Sequence, residues 1–168
     1  MRPGEIADLL ETSGQAYASL LRGLTPEAAT WRPAPEEWCV NECVGHIIES
    51  EKRGFAGRIR LILDAAEPQL ERWDQPGVAK ARRDCEKRPQ QILDEFEPLR
   101  SDSLSLVRGL KPEQVQRGGI HPTVARLTVE DLLHEWVHHD ANHLKQAYAN
   151  VQAYVWPHMG NAQRFSRP

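Results

Sequence analysis

The spacing of apolar residues along this 168-residue chain constrains its fold more than any other feature of the sequence. Apolar side chains recur at steps of three and four residues in four long segments, which is the period of an amphipathic α-helix. No segment alternates apolar and polar residues long enough to indicate a sheet, so strands should be few or absent. Since this length suits one hydrophobic core, we expect a single all-α domain over residues 1–168, a four-helix bundle.

Proline-rich and glycine-rich connections separate the predicted helices, because proline lacks an amide donor and interrupts a long helix. Between the second and third helices, residues 65–88 have too little apolar periodicity for a core helix, and we interpret them as a long crossover with some helical content. Two hairpins joined by a crossover correspond to up-down-down-up topology. The predicted helices cover about residues 4–23, 40–64, 89–110 and 128–151.

Several residues predict local features of these elements. Thr25-Pro26-Glu27 can start a short helical turn, and Thr128 with Asp131 three residues later has the spacing of a capping box. Pro98 lies inside the third apolar pattern, where we expect a kink or a break.

Composition excludes two classes of function. The chain has 21 basic and 24 acidic residues and a net charge of −3, without a basic stripe, so we expect no nucleic-acid partner. No apolar run approaches the roughly 18 residues of a membrane span, and the acidic N-terminal segment is unlike a signal peptide. We therefore expect a cytoplasmic protein without a membrane partner.

The cysteines indicate no disulfide framework. Cys39, Cys43 and Cys85 are odd in number and lack CxxC spacing, so free thiols are expected.

Four of the seven histidines fall within ten residues of the fourth predicted helix. At about 100° per residue, His139 and His143 lie at the border of the apolar face, on the side of Leu132 and Trp136. His134 and His138 lie on the polar face and should be solvated. Histidines one helical turn apart can converge on one metal ion.

A third histidine has a matching position on the second helix. His46 lies at the edge of that helix's apolar face, where it can approach His139 and His143 from a neighbouring helix. Three neutral imidazoles would leave a coordination position open, as in catalytic metal sites. The alternative is that each is a satisfied polar residue at the core edge.

Two segments carry a family resemblance: Trp38-Cys39-Val40-Asn41-Glu42, which leads to His46, and His139-Asp140-Ala141-Asn142-His143-Leu144-Lys145-Gln146. Over nearly the whole chain the sequence resembles the DinB-like superfamily. The resemblance implies a four-helix bundle, often homodimeric, whose metal ligands match His46, His139 and His143. The implied cofactor is a divalent metal ion, zinc or nickel.

The resemblance also implies two kinds of function. One is a metal-dependent hydrolase, or an S-transferase that uses a low-molecular-weight thiol, acting on a small-molecule substrate at the three-histidine site. The other is a non-catalytic metal-binding protein in stress response or interaction. The sequence identifies no catalytic residue.

Other candidates remain open. Asp140 lies inside the apolar arc and needs a partner; it can orient a ligand histidine or bond a backbone amide, with a general-base role as a further alternative. Relatives usually have Ser or Thr where Cys39 stands, and the roles of Cys39 and His121 stay undetermined. We expect solvated charges at Glu49 and Glu51. We expect packing roles for Trp31, Trp38, Trp73 and Trp156.

Overall fold

The computed structural model describes residues 1–166 of the chain. A π-helical turn, Ser50–Gly54, separates two of the α-helices, and three short 3-10 segments lie at Asp84–Glu86, Pro112–Gln114 and Trp156–Phe165. The α-helices are α1 (Pro3–Gly23), α2 (Pro26–Thr30), α3 (Val40–Glu49), α4 (Ala56–Asp64), α5 (Gln75–Arg82), α6 (Pro89–Arg108) and α7 (Val129–Val155), and the strands are β1 (Gly118–His121) and β2 (Ala125–Thr128).

Four long helical segments form the bundle. They are α1, the segment made of α3 and α4, α6, and α7. Side-chain pairs between helices give their directions, since paired residue numbers rise together in parallel helices and oppositely in antiparallel ones. By this criterion α6 runs parallel to the π-helical turn and α4 but antiparallel to α1, as the up-down-down-up bundle requires. Two pairs join the second long segment to α6: Lys52–Glu95 from the π-helical turn and Arg60–Asp102 from α4. Two more join α1 to α6: Arg22–Glu97 and Arg108–Glu11.

The second long helix is interrupted where the sequence predicts continuity from residue 40 to 64. Phe55 N–H donates to the carbonyl of Ser50 at 2.8 Å, a bond to the fifth preceding residue that widens the turn. A Cβ atom on Gly57 would lie 2.0 Å from the Lys52 carbonyl, so this bend requires glycine there. The insertion places Ser50, Glu51 and Phe55 against the bundle interior.

The third helix is not broken at Pro98, contrary to one of the expected outcomes. Both Pro98 and Asp94, whose carbonyl loses its donor there, are exposed, so water can satisfy the free carbonyl. At the start of α7, Asp131 N–H donates to the Thr128 hydroxyl at 3.0 Å, which confirms the predicted cap.

The crossover is folded against the rest of the molecule. It contains α5. Strands β1 and β2 pair antiparallel as a hairpin, with Gly118 opposite Thr128. The first part of the crossover bonds to this hairpin, since Leu70 N–H donates to the Ile120 carbonyl at 2.8 Å. A Cβ on Gly45 of α3 would lie 1.8 Å from Oδ2 of Asp84, so only glycine permits this approach.

The prediction of three free thiols was wrong. Cys39, at the start of α3, forms a disulfide with Cys85 in the crossover, across a sequence separation of 46 residues. Cys43 remains a free, buried thiol, and burial raises its pKa to about 12. Within residues 1–166, no helix combines the length and apolar composition that a membrane crossing requires.

The core has two apolar clusters along the bundle. One centres on Trp136, Phe55 and Ile59, and the other on Tyr17, Phe96 and Ile47. Polar residues of α1, α6, α7 and the π-helical turn contact one another inside the bundle, although apolar residues dominate both clusters.

Candidate metal centre

The structure brings together the three histidines that the sequence selects. Nε2 of His46 lies 3.0 Å from Nε2 of His139, and the His143 ring centroid lies 4.5 Å from each of the other two centroids. One nitrogen from each ring falls within 4.8 Å of the others. The π-helical turn adds Ser50, whose Oγ lies 3.3 Å from Nε2 of His46.

The surroundings keep these imidazoles neutral. Burial, reinforced by the neighbouring histidines, lowers the pKa of His46 to about 3 and that of His139 to about 3. Burial also lowers the pKa of His143, against an opposing effect of Gln146. A neutral imidazole carries one free lone pair, which is the form that binds a metal ion.

The donor set fits a divalent ion of the zinc type. Tetrahedral Zn–N bonds of about 2.0–2.1 Å place neighbouring ligand nitrogens about 3.3 Å apart, close to the His46–His139 separation. Nδ1 of His143 lies 2.9 Å from Oε1 of Gln146, which favours a proton on Nδ1 and leaves Nε2 free as a ligand. Nδ1 of His139 is buried without a hydrogen-bond partner among residues 1–166.

Two tryptophans flank the cluster, a role that the sequence did not indicate. The Trp38 ring stacks on His143 with centroids 6.0 Å apart, and Trp73, from the crossover, stacks on His46 at 6.0 Å. Trp31 instead packs against Tyr154, as expected of a packing residue. Periodicity could not identify Trp73 as a site residue, because it lies in an irregular segment.

The other histidine pair points away from the bundle, as its helical phase predicts. His134 and His138 are exposed on α7, and Nε2 of His138 lies 2.9 Å from the Asn142 amide. His121, whose role the sequence left open, lies in the hairpin at a large cleft that His139 also lines.

Asp140 finds its partner inside the bundle. Its Oδ2 accepts from the Ser13 hydroxyl at 2.5 Å and from Nη1 of Arg100 at 2.7 Å, and its backbone carbonyl accepts from Tyr17. Among the described residues, no histidine nitrogen bonds to this carboxylate. Asp140 therefore fixes α7 beside His139 through the helix packing.

The expectation that Glu49 and Glu51 are solvated was wrong. Glu51 is fully buried, and its Oε1 accepts from Nε of Arg100 at 2.6 Å. Burial raises the pKa of the Glu51 carboxyl, against the opposing effect of Arg100. Glu49 is 6% exposed and accepts from Nη1 of Arg82 at 2.8 Å. A local pattern could not reveal these partners, since both arginines are distant in sequence.

The ion pairs of Arg82 also fix the position of the crossover. Arg82, at the end of α5, bonds Glu49, Asp84 and Glu95 simultaneously. The Asn41 amide donates to two carbonyls of the same segment, those of Asp84 and Lys87. These contacts hold the crossover, and with it Trp73, against the helix that carries His46.

The family model of the DinB superfamily matches residues 9–147, which include all three histidines. The chain belongs to the DinB superfamily. A relative in sequence is the protein YuaE of Bacillus subtilis (strain 168), which is 26% identical over 139 residues that span 75% of this chain and 85% of YuaE.

Solved structures show the same fold. YfiT of Bacillus subtilis superimposes with a TM-score of 0.80 at 21% identity over 92% of this chain and 88% of YfiT, and is described as a probable metal-dependent hydrolase with an unusual four-helix bundle topology. A conserved protein of Enterococcus faecalis gives 0.70 at 15% identity, covering 91% and 97% of the respective chains. At such identities the likeness establishes the fold alone.

Proposed function

We propose that this protein binds one divalent metal ion, zinc or nickel, through His46, His139 and His143, and acts as a metal-dependent hydrolase on a small-molecule substrate. The convergence of three neutral imidazoles from two helices, next to an open cleft, carries this proposal. Three protein ligands leave a position for a further ligand, as catalytic zinc sites do. The description of YfiT supports the reaction class.

His46, His139 and His143 would hold the ion, which would supply Lewis acidity to a substrate carbonyl or to water. The protein's own residues orient the ligands and limit the access of water. Gln146 orients His143, and the rings of Trp38 and Trp73 cover His143 and His46. The Ser50 hydroxyl, beside His46 and lining the cleft, can accept or donate a hydrogen bond to a substrate.

Transfer of a low-molecular-weight thiol is the alternative reaction that the family resemblance implies. It needs the same site, because zinc and nickel both bind thiolates as well as imidazoles. Thiol consumption distinguishes the two reactions. Hydrolysis adds water across the cleaved bond and uses no thiol, whereas S-transfer consumes one thiol for each product formed.

Metal analysis coupled to turnover tests the proposal. Freshly purified protein should contain about one equivalent of zinc or nickel, and the loaded protein should hydrolyse members of an ester and amide panel. His138→Ala is the matched control for His139→Ala, since the two residues are adjacent on α7 and only His139 faces the cluster. Stoichiometric metal without turnover, in the panel or with added thiol, would favour the non-catalytic alternative.

We further propose a homodimer. The family resemblance and the four tryptophans outside the buried core support it, because aromatic residues are enriched at interfaces. Light scattering at micromolar concentration should give twice the monomer mass of 19.1 kDa, and a monomer mass would contradict the proposal.

A further inference from the structure

A cleft of about 1050 Å³ opens beside the histidine cluster. His139 and Ser50 line it on the bundle side, with Phe55, Trp73 and Leu132 as apolar surface. This volume is at the upper end of the range of small-molecule pockets, which extends to about 1,000 Å³. The cleft therefore has room for a substrate that reaches well beyond the reacting bond.

Three basic side chains from three different elements also line this cleft. Arg58 comes from α4, Arg72 from the crossover and His121 from β1. The pKa of the His121 imidazole is lowered mainly by burial, and further by the positive charges of Arg58 and Arg72 nearby. This wall of the cleft therefore carries the positive charges of Arg58 and Arg72.

The two arginines lack carboxylate partners among residues 1–166. Arg58 is partly buried, and its Nη2 donates to the Glu71 carbonyl at 3.0 Å, whereas its Nε is buried and has no hydrogen-bond partner. Neither Arg58 nor Arg72 forms an ion pair in the described part of the chain, although arginines on other faces of the protein do. A buried donor without a partner is costly unless a ligand satisfies it.

Two of the three acidic residues that line the cleft accept hydrogen bonds from backbone amides at helix N-termini. Oδ1 of Asp74 accepts from the Gly77 amide at the start of α5, and Oδ2 of Asp131 accepts from the Thr128 amide at the start of α7. Helix N-termini stabilise such carboxylates. Glu135 is exposed on α7 and forms no ion pair with another described residue. The remaining basic residue of the lining, Arg126, pairs with Glu67.

We infer that the cleft selects small substrates that carry an anionic group, a carboxylate or a phosphate, which Arg58 and Arg72 bind while the reacting bond lies at the histidine cluster. This inference rests on the proposed function and adds its substrate class. Guanidinium groups match both anions, because their planar array of donors can form paired hydrogen bonds with two oxygens. The apolar surface of Phe55, Trp73 and Leu132 suits an aromatic or aliphatic spacer between the anion and the reacting group.

Binding by metal-free protein tests the anion site without reference to catalysis. Calorimetric titration should detect benzoate or phenyl phosphate, whereas the neutral analogue benzamide should bind at least about tenfold more weakly. Arg58→Gln and Arg72→Gln should each weaken anion binding by about tenfold or more. Arg60→Gln is the matched control, because Arg60 lies on the same helix and pairs with Asp102 outside the cleft.

The relative affinity of benzoate and phenyl phosphate identifies which anion the site prefers, and either preference supports the inference. Equal binding of benzoate and benzamide would overturn it. Failure of all three probes to bind, or an equal loss in Arg60→Gln and Arg58→Gln, would also overturn it. Circular dichroism of each variant verifies that the helices remain folded.

A second experiment separates this inference from the proposed function. Zinc-loaded and nickel-loaded protein should hydrolyse 4-acetoxybenzoate with a kcat/KM about tenfold above that for the neutral 4-acetoxybenzamide, and Arg58→Gln should remove the difference. Arginine-dependent benzoate binding without hydrolysis of either ester would contradict the proposed function but would still support the anion site. Equal hydrolysis of both esters, unaffected by Arg58→Gln, would support the proposed function and overturn the anion site.

Discussion

Nη1 of Arg100 lies 2.7 Å from Oδ2 of Asp140 inside the bundle, and the two residues are only 4% and 1% exposed. Arg100 lies on α6, and Asp140 directly follows His139 on α7. Because Arg100 also bonds the buried Glu51 next to Ser50, one guanidinium links both helical segments that border the histidine cluster. Withdrawing these charges from water is costly, and the close pairing offsets that cost.

The first prediction concerns this buried arginine. Arg100→Met leaves Glu51 and Asp140 as uncompensated buried carboxylates, so the free energy of unfolding should fall by about 3–5 kcal/mol. Arg108→Met, on the same helix but in exposed ion pairs with Asp8 and Glu11, should cost less than about 1 kcal/mol. Urea denaturation measures both values.

A combined variant tests the cause of the Arg100 effect. Adding Glu51→Gln and Asp140→Asn to Arg100→Met removes all three charges and should recover much of the lost stability. If the triple variant is as unstable as Arg100→Met alone, lost packing rather than unpaired charge causes the effect.

The second prediction concerns the Cys39–Cys85 disulfide. Closing a loop of this length restricts the unfolded chain, and the chain-entropy model gives about 4 kcal/mol of stabilisation. Reductant should therefore lower the melting temperature of the wild-type protein but leave the Cys39→Ser/Cys85→Ser variant unchanged. An equal response of the two proteins to reductant would contradict the bond.

Helix periodicity predicted the four bundle helices and the outward direction of His134 and His138, and capping-box spacing predicted the cap at Thr128. These features depend on interactions within a few residues of sequence, where spacing determines which side chains share a face. The same logic selected His46, His139 and His143, because histidines that converge between two helices lie at the borders of the apolar faces.

Features that depend on distant partners could not be predicted in this way. Glu51 resembles a solvated helix charge until Arg100, on another helix, is found against it. Cys85 meets Cys39 only because the crossover packs on α3, and apolar periodicity says little about the path of that segment. The π-helical turn likewise leaves no period of its own, since it inserts a residue into an otherwise continuous apolar pattern.

The third prediction concerns pH and the stability of the metal-free protein. The pKa of His46 and that of His139 are about 3 in the folded protein, against an ordinary value of 6.5. Between these values the unfolded chain binds more protons, so stability rises with pH across this window and is lost as pH falls through it. Each histidine contributes up to about 1.4 kcal/mol per pH unit.

Thermal melts between pH 4 and 7 check this prediction. The double variant His46→Asn/His139→Asn should show a flatter dependence of melting temperature on pH than the wild type. His134→Asn/His138→Asn, which alters two exposed histidines, should keep the wild-type dependence. Identical pH profiles for the two double variants would contradict the assignment of this effect to the cluster.

The last prediction sets the two His-xxx-His pairs of α7 against each other. Sequence spacing treats them alike, but His139 and His143 face His46 while His134 and His138 are exposed. Alanine at His46, His139 or His143 removes one of three ligands and should abolish stoichiometric metal binding, whereas His134→Ala and His138→Ala should retain about one equivalent. Metal content of the five purified, folded variants decides between the pairs. Loss of metal in His138→Ala with retention in His143→Ala would show that the metal site lies on the opposite face of α7, and would refute the proposed centre.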